Sequence, residues 1–249
     1  MLGGMSAAGG VKPPKKRSRP RGSTCVTFDG ANDSITVSDF TWATTGDFSI
    51  SAWFKYSDDD RNDGVFTQAP SRPNAITFGK NTSDQIDFNA TISSSVIIDL
   101  KTAAGALPNN NQWYHVVICV DRSSASDSKI YVDGVAATMS TQTIADTTTS
   151  IDLAANLVIG LFGNTVFKGS IKEVTFYDVA LNSRQVRDIF RNKARGGFHR
   201  SKLGRHMLMH LTMGDGGEDL SATTVNDLSG NGNNGTLNLG ASFATDSPS

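Results

Sequence analysis

The stretch DFSISAWFK, residues 47–55, alternates apolar and polar side chains. Phe48, Ile50, Ala52 and Phe54 fall on one face, and Ser49, Ser51, Trp53 and Lys55 on the other. Period two belongs to an extended strand with one side in a core. The pattern returns along the chain. DSITVSD puts Ile35 and Val37 together, and NAITFGK, DQIDFNAT and SVIIDLK are short, β-branched and separated by turn residues. QWYHVVICVD reads as a longer, more buried strand, with NLVIGLFG, GSIKEVTFYDVAL and MLMHLTM as later ones. KIYVDGVAA reads as a hairpin turning at Asp133-Gly134. About a dozen short strands predict an all-β, two-sheet antiparallel sandwich.

One short helix interrupts the strands. NSRQVRDIFRNK offers Asn182 or Ser183 as N-cap, an apolar stripe of Val186, Ile189 and Phe190, and Gly196-Gly197 as a stop. Arg184, Arg187 and Arg191 share the opposite side and read as a solvated face. Among 24 acidic residues only Glu173 and Glu218 are glutamates, which suits a loop-rich β protein because Asp favours turns and Glu favours helices.

The formal net charge is −1, but it is unevenly placed. Residues 1–22 carry six Lys or Arg and no acid; residues 184–205 carry eight and one acid. The first segment, with little to bury, reads as an extended basic N-terminal arm. Its Lys12, Lys15, Lys16, Arg17, Arg19 and Arg21 suit phosphate groups of RNA or DNA, or an acidic partner. It lacks the apolar centre of a signal peptide, and no run reaches the ~18 apolar residues of a membrane helix. The expectation is a chain made in the cytoplasm with no membrane span. Cys25 and Cys119 lie in strand-like runs without a Cys/His cluster, so buried free thiols are expected rather than a zinc site, with a disulfide between the two as the alternative.

Four motifs in order carry a resemblance: VTFDGANDSITV, FSISAWFKYS, NQWYHVVICVDRSSASDSKIYVDGV, and LVIGLFGNTVFKGSIKEVTFYDVALNSRQVRDIF. Together they resemble the laminin-G-like domains of the concanavalin A-like lectin/glucanase superfamily, over roughly residues 24–190. The resemblance implies a jelly-roll sandwich and a recognition role. Trp113 and His115 match its Trp-x-His positions, with core packing as the implied role. The chain departs at Lys172-Glu173, where the family often has Asp-Glu. The segment NDLSGNGNNGTL, residues 226–237, resembles one that in many such domains precedes the Phe-Asp-Gly strand. Here it follows the helix. Residues 23–249 are therefore expected to form one sandwich, completed by residues 207–239 in circularly permuted order. A truncated second repeat is the competing reading.

Calcium is the one cofactor the loops suggest. Asp58, Asp60 and Asn62 sit at the first, third and fifth positions of a calcium loop, but Asp63 and Ala69 stand where it needs Gly and Glu. Asp29 and Asp33 form a second candidate. Asn231, Asn233 and Tyr56 are candidate ligand-loop residues. The paired carboxylates of a retaining glycosidase are absent as a motif, which leaves glycoside hydrolysis a remote alternative and no catalytic residues to name. The expected function is a non-catalytic, lectin-like recognition or structural module that binds glycan or protein surfaces through its loops, as a subunit of a homo- or hetero-oligomeric assembly such as a virion surface. The alternative is a capsid or decoration protein whose arm ties neighbours or contacts nucleic acid.

Overall fold

The structure, a computed structural model, describes residues 24–42, 45–57, 61–69, 73–192, 203–215, 217–246 and 248. The basic arm, Asp58, Asp60 and Gly196-Gly197 lie outside these residues. In chain order the strands are β1 (Cys25–Asp29), β2 (Ser34–Val37), β3 (Phe48–Tyr56), β4 (Asp63–Gln68), β5 (Ala75–Lys80), β6 (Ile86–Ile92) and β7 (Ser95–Thr102). Next come β8 (Tyr114–Val120), β9 (Lys129–Val132), β10 (Val135–Ala136), β11 (Met139–Ile144), β12 (Leu157–Ile159), β13 (Leu161–Phe162), β14 (Thr165–Val166) and β15 (Lys168–Tyr177). The helix α1 (Ser183–Arg191) follows, then β16 (Met207–Leu211), β17 (Thr224–Val225), β18 (Gly235–Asn238) and β19 (Ser242–Ala244).

Two antiparallel sheets stack as a jelly-roll sandwich. The eight-stranded sheet runs β10-β9-β8-β3-β15-β1-β19, with β16 also on β15. The nine-stranded sheet runs β11-β7-β6-β5-β4-β12-β2-β18-β17. Phe48, Ile50, Ala52 and Phe54 point between the sheets and are buried, as their alternation predicts. Edge-to-face rings organise this core: Trp42 on Phe48 and Phe40 on Phe176 have centroids 5.0 Å apart. Such pairs contribute about 0.5–1.5 kcal/mol each beyond area burial.

The other face of β3 is also buried, because α1 packs across the eight-stranded sheet. Asn182 caps the helix: its side chain accepts from the N–H groups of Arg184 and Gln185, and Gln185 reaches back to the Asn182 N–H. Val186 and Ile189 pack with Val117, Cys119 and Tyr177 in a second cluster. Phe190 stacks on Trp53 at 5.7 Å. Ser51 Oγ lies 2.9 Å from Nε2 of the fully buried His115. Trp113 departs from the core role its motif implies. It precedes β8, is half-buried, and donates to Asp246 Oδ1 at 3.2 Å.

NLVIGLFG, expected as one strand, is two. Gly160 adopts φ +89°, which breaks the run between β12 and β13. A Cβ there would lie 2.5 Å from the Phe28 ring, so the bend needs glycine.

The C-terminal strands join both sheets. β16 pairs with β15, β18 with β2, and β19 with β1. Two consecutive residues of β15 anchor them. Register between β15 and β3 slips between Lys172 and Thr175, with Glu173 at φ +52°. The bulge buries both side chains. Lys172 Nζ meets the Asp215 carboxylate and the Thr24 carbonyl, and Glu173 Oε2 lies 2.7 Å from His210 Nε2. Lys172 thus places a buried cation opposite Asp215.

Candidate functional site

The outer face of the nine-stranded sheet carries an open polar site. Ile76 and Phe78 of β5, Phe88 and Ala90 of β6, and Ile98 and Leu100 of β7 point into the core. By alternation, Thr77 and Gly79, Asp87 and Asn89, and Asp99 and Lys101 face outward. Register fixes them as a block: Asp87 opposes Lys101, Asn89 opposes Asp99, and on the other flank Thr77 opposes Asn89 and Gly79 opposes Asp87. The row continues in both directions, through Thr143 on β11 and through Thr67, Val158, Thr36 and Thr236 on β4, β12, β2 and β18.

The block is polarised. Lys101 Nζ lies 3.1 Å from Asp87 Oδ2, and Thr91 Oγ1 donates to Asn89 Oδ1 at 2.8 Å. Partial burial pushes the Asp87 carboxyl above its ordinary value; Lys101 opposes this and the Asp99 charge adds to it. Burial acts to lower the Lys101 ammonium, but the Asp87 hydrogen bond and the Asp87 and Asp99 charges prevail and hold it above its usual range. Asp99 Oδ1 is buried with no hydrogen-bond partner among the described residues. A buried acceptor without a partner costs free energy.

The β13–β14 hairpin walls the site. It lies across β4 and β5 where the sheet carries no side chains. A Cβ on Gly64 would sit 2.0 Å from the Leu161 carbonyl carbon, and one on Gly79 would sit 2.8 Å from the Phe162 ring. Phe162, partly exposed, therefore stands over Gly79, whose register partner on β6 is Asp87. An aromatic edge next to carboxylate, amide, hydroxyl and ammonium groups on a shallow face can stack on a ring and hydrogen-bond its hydroxyls.

The candidates named from the sequence are scattered. Tyr56 is fully buried and gives its hydroxyl to the Leu107 carbonyl, so it presents nothing to a ligand. Asn231 donates to the Met207 and Leu208 carbonyls at 3.0 and 3.1 Å, and Asn233 to Leu208 at 2.8 Å. Their amides tie the Gly-Asn loop onto β16. Asp227 completes the tie by accepting from the N–H groups of His210, Ser229 and Asn233. Asp29 and Asp33 close the β1–β2 turn: Asp33 Oδ2 accepts from the Asp29 N–H at 2.8 Å, and Asp29 Oδ1 from the Ala31 N–H at 2.7 Å. Asp33 Oδ1 is buried without a partner among the described residues. Among those residues no three His, Cys, Asp or Glu side chains gather as a metal group. Of the other metal candidate only Asn62 is described. The partner residues Lys12 to Arg21 lie outside the described residues.

Comparison with known proteins places the fold. The sequence profile described as the concanavalin A-like lectin/glucanases superfamily matches residues 29–187. No curated protein in the comparison matches the sequence. Among solved structures, a Bacteroides ovatus protein provisionally described as carbohydrate binding shares 17% identity at a TM-score of 0.66, covering 92% of this chain and 62% of its own. The native heptameric SAP-like pentraxin of Limulus polyphemus shares 12% at 0.51, covering 69% and 83%. A structure of botulinum neurotoxin type C, whose cell entry is reported to depend on two ganglioside molecules, shares 13% at 0.50, covering 68% and 42%. At these identities the likeness is one of fold.

Proposed function

This chain belongs to the concanavalin A-like lectin/glucanase superfamily, and on that premise we propose that it is a non-catalytic lectin-like module that binds a glycan on the outer face of its nine-stranded sheet. The observation that carries this reading is the outward block of Asp87, Asn89, Asp99 and Lys101, which strand register brings together on β6 and β7. A sugar ring would stack on Phe162 while its hydroxyls donate to Asp99 and Asp87 and accept from Lys101. The carbohydrate and ganglioside binding named for two structural neighbours supports this class of ligand.

The two glutamates support a non-catalytic role. Glu173 is buried against His210, and Glu218 accepts from Thr212 Oγ1 and the Asn226 N–H. Neither is placed to flank a glycosidic bond in solvent. The oligomeric or virion role is expected from the charge of the basic arm, which lies outside the described residues. Among the described residues no helix is long and apolar enough to cross a membrane.

A glycan array tests the reading. The wild type should bind at least one neutral glycan, and Asn89→Ala and Asp99→Ala should weaken that binding at least tenfold without lowering the melting temperature. An array without signal, or binding indifferent to both substitutions, would refute it.

A further inference from the structure

The opposite sheet holds a second concavity. The β9–β10 hairpin and α1 border an open cleft of about 450 Å³, within the range of small-molecule sites. Its walls are Tyr131, Val135 and Ala136 on the hairpin side and Phe190, Arg187 and Arg191 on the helix side. Helix periodicity explains the second set: positions 190 and 191 follow 187 by three and four residues, so Phe190, at the edge of the apolar stripe, borders the arginine side. The hairpin turns at Asp133 and Gly134, both at positive φ, in the type expected of an Asp-Gly hairpin. Gly134 lets the turn approach closely, since a Cβ there would lie 3.0 Å from the Phe190 ring.

Phe190 is held in advance. Its ring stacks on Trp53 and on His115, with centroids 5.7 and 5.9 Å away and planes within 25°. Val135, 69% exposed, is an apolar wall with no cover of its own. Arg187 and Arg191 are exposed, and among the described residues neither is in an ion pair. Asp133, the one acid of the cleft, points Oδ1 at the His115 N–H, 2.9 Å away. Two cations against one engaged carboxylate leave the cleft net positive, above an apolar floor.

We propose that this cleft is a second binding site, for a small amphipathic anion: a carboxylate or sulfonate held by Arg187 and Arg191, on an apolar body packed between Phe190 and Val135. Guanidinium groups bind planar oxyanions through paired, charge-assisted hydrogen bonds, which is why the anion is the recognised group. Uncharged glycans bound on the other sheet would not compete.

Titration calorimetry with three probes tests this: 4-phenylbutyrate, its neutral amide, and 3-phenylpropane-1-sulfonate. At least one of the two anions should bind the wild type in the low-millimolar range expected of so small a ligand. Which one binds identifies the oxyanion. The Arg187→Gln, Arg191→Gln double variant should bind it at least fivefold more weakly, and Val135→Glu should do the same by placing a negative charge on the wall. Asp99→Ala should leave the affinity unchanged, which separates this site from the glycan face. The proposal is overturned if neither anion binds, if the amide binds as well as the acid, or if the arginine variant retains wild-type affinity.

Discussion

Cys25 and Ala244 stand opposite one another in register between β1 and β19, although 219 residues separate them in sequence. The described chain thus begins and ends on adjacent strands of one sheet. We propose that residues 207–239 complete the sandwich in circularly permuted order. A chain that starts at Leu203, runs to Asp246, continues through a linker of about four residues into Thr24 and ends at Asn192 should then fold. Its circular dichroism should match the parent and its melting temperature should fall by only a few degrees. An aggregated or unstructured permutant would refute the reading.

The buried Glu173–His210 contact fastens β16 to the β15 bulge. Glu173→Ala removes the carboxylate that meets His210 Nε2 and retains a positive φ without glycine. A loss of about 1–3 kcal/mol in urea unfolding is expected from the lost buried partner. His210→Ala should cost a similar amount. The double variant should cost less than the sum, because both single changes break one interaction.

His115 makes stability depend on pH. Complete burial pushes its imidazole down to about 3, from an ordinary value of 6.5. Between those values the unfolded chain binds a proton that the folded chain does not. Stability from this group is therefore full above pH 6.5 and is lost as pH falls toward 3. Unfolding free energies of wild type and His115→Phe, compared at pH 7 and 3.5, should diverge by on the order of 4 kcal/mol in that direction. Parallel curves would count against it.

Both cysteines are free and buried. Burial pushes the Cys119 thiol up to about 12 and also raises that of Cys25. A thiolate-specific reagent such as a disulfide dye should label neither in the native protein and both in denaturant. Rapid native labelling would place a thiol at the surface.

Gly79→Ala drives a methyl group to 2.4 Å from the Asp63 carbonyl and 2.8 Å from the Phe162 ring. The β13–β14 hairpin must lift. A stability loss of about 1–3 kcal/mol is expected, together with weaker glycan binding as Phe162 leaves its place. Unchanged affinity would remove Phe162 from the site.

Alternation determined much of this protein by itself. It assigned Phe48, Ile50, Ala52 and Phe54 to one buried face, and local signals found the Asp133-Gly134 turn and narrowed the helix cap to Asn182 or Ser183, because each depends on neighbours in sequence. The same alternation marks Asp87, Asn89, Asp99 and Lys101 as outward positions. It does not reveal that β6 and β7 pair in the register that makes them one block, or that a hairpin some 60 residues later lays Phe162 over Gly79, the register partner of Asp87. Tyr56 shows the converse: a residue at the end of a strand looks available until Leu107 covers it. Strand pairing, the Lys172 and Glu173 ties to the tail, and the cleft under α1 are long-range contacts. Only the closed sandwich decides them, since backbone hydrogen bonding and side-chain burial are satisfied there between segments far apart in sequence.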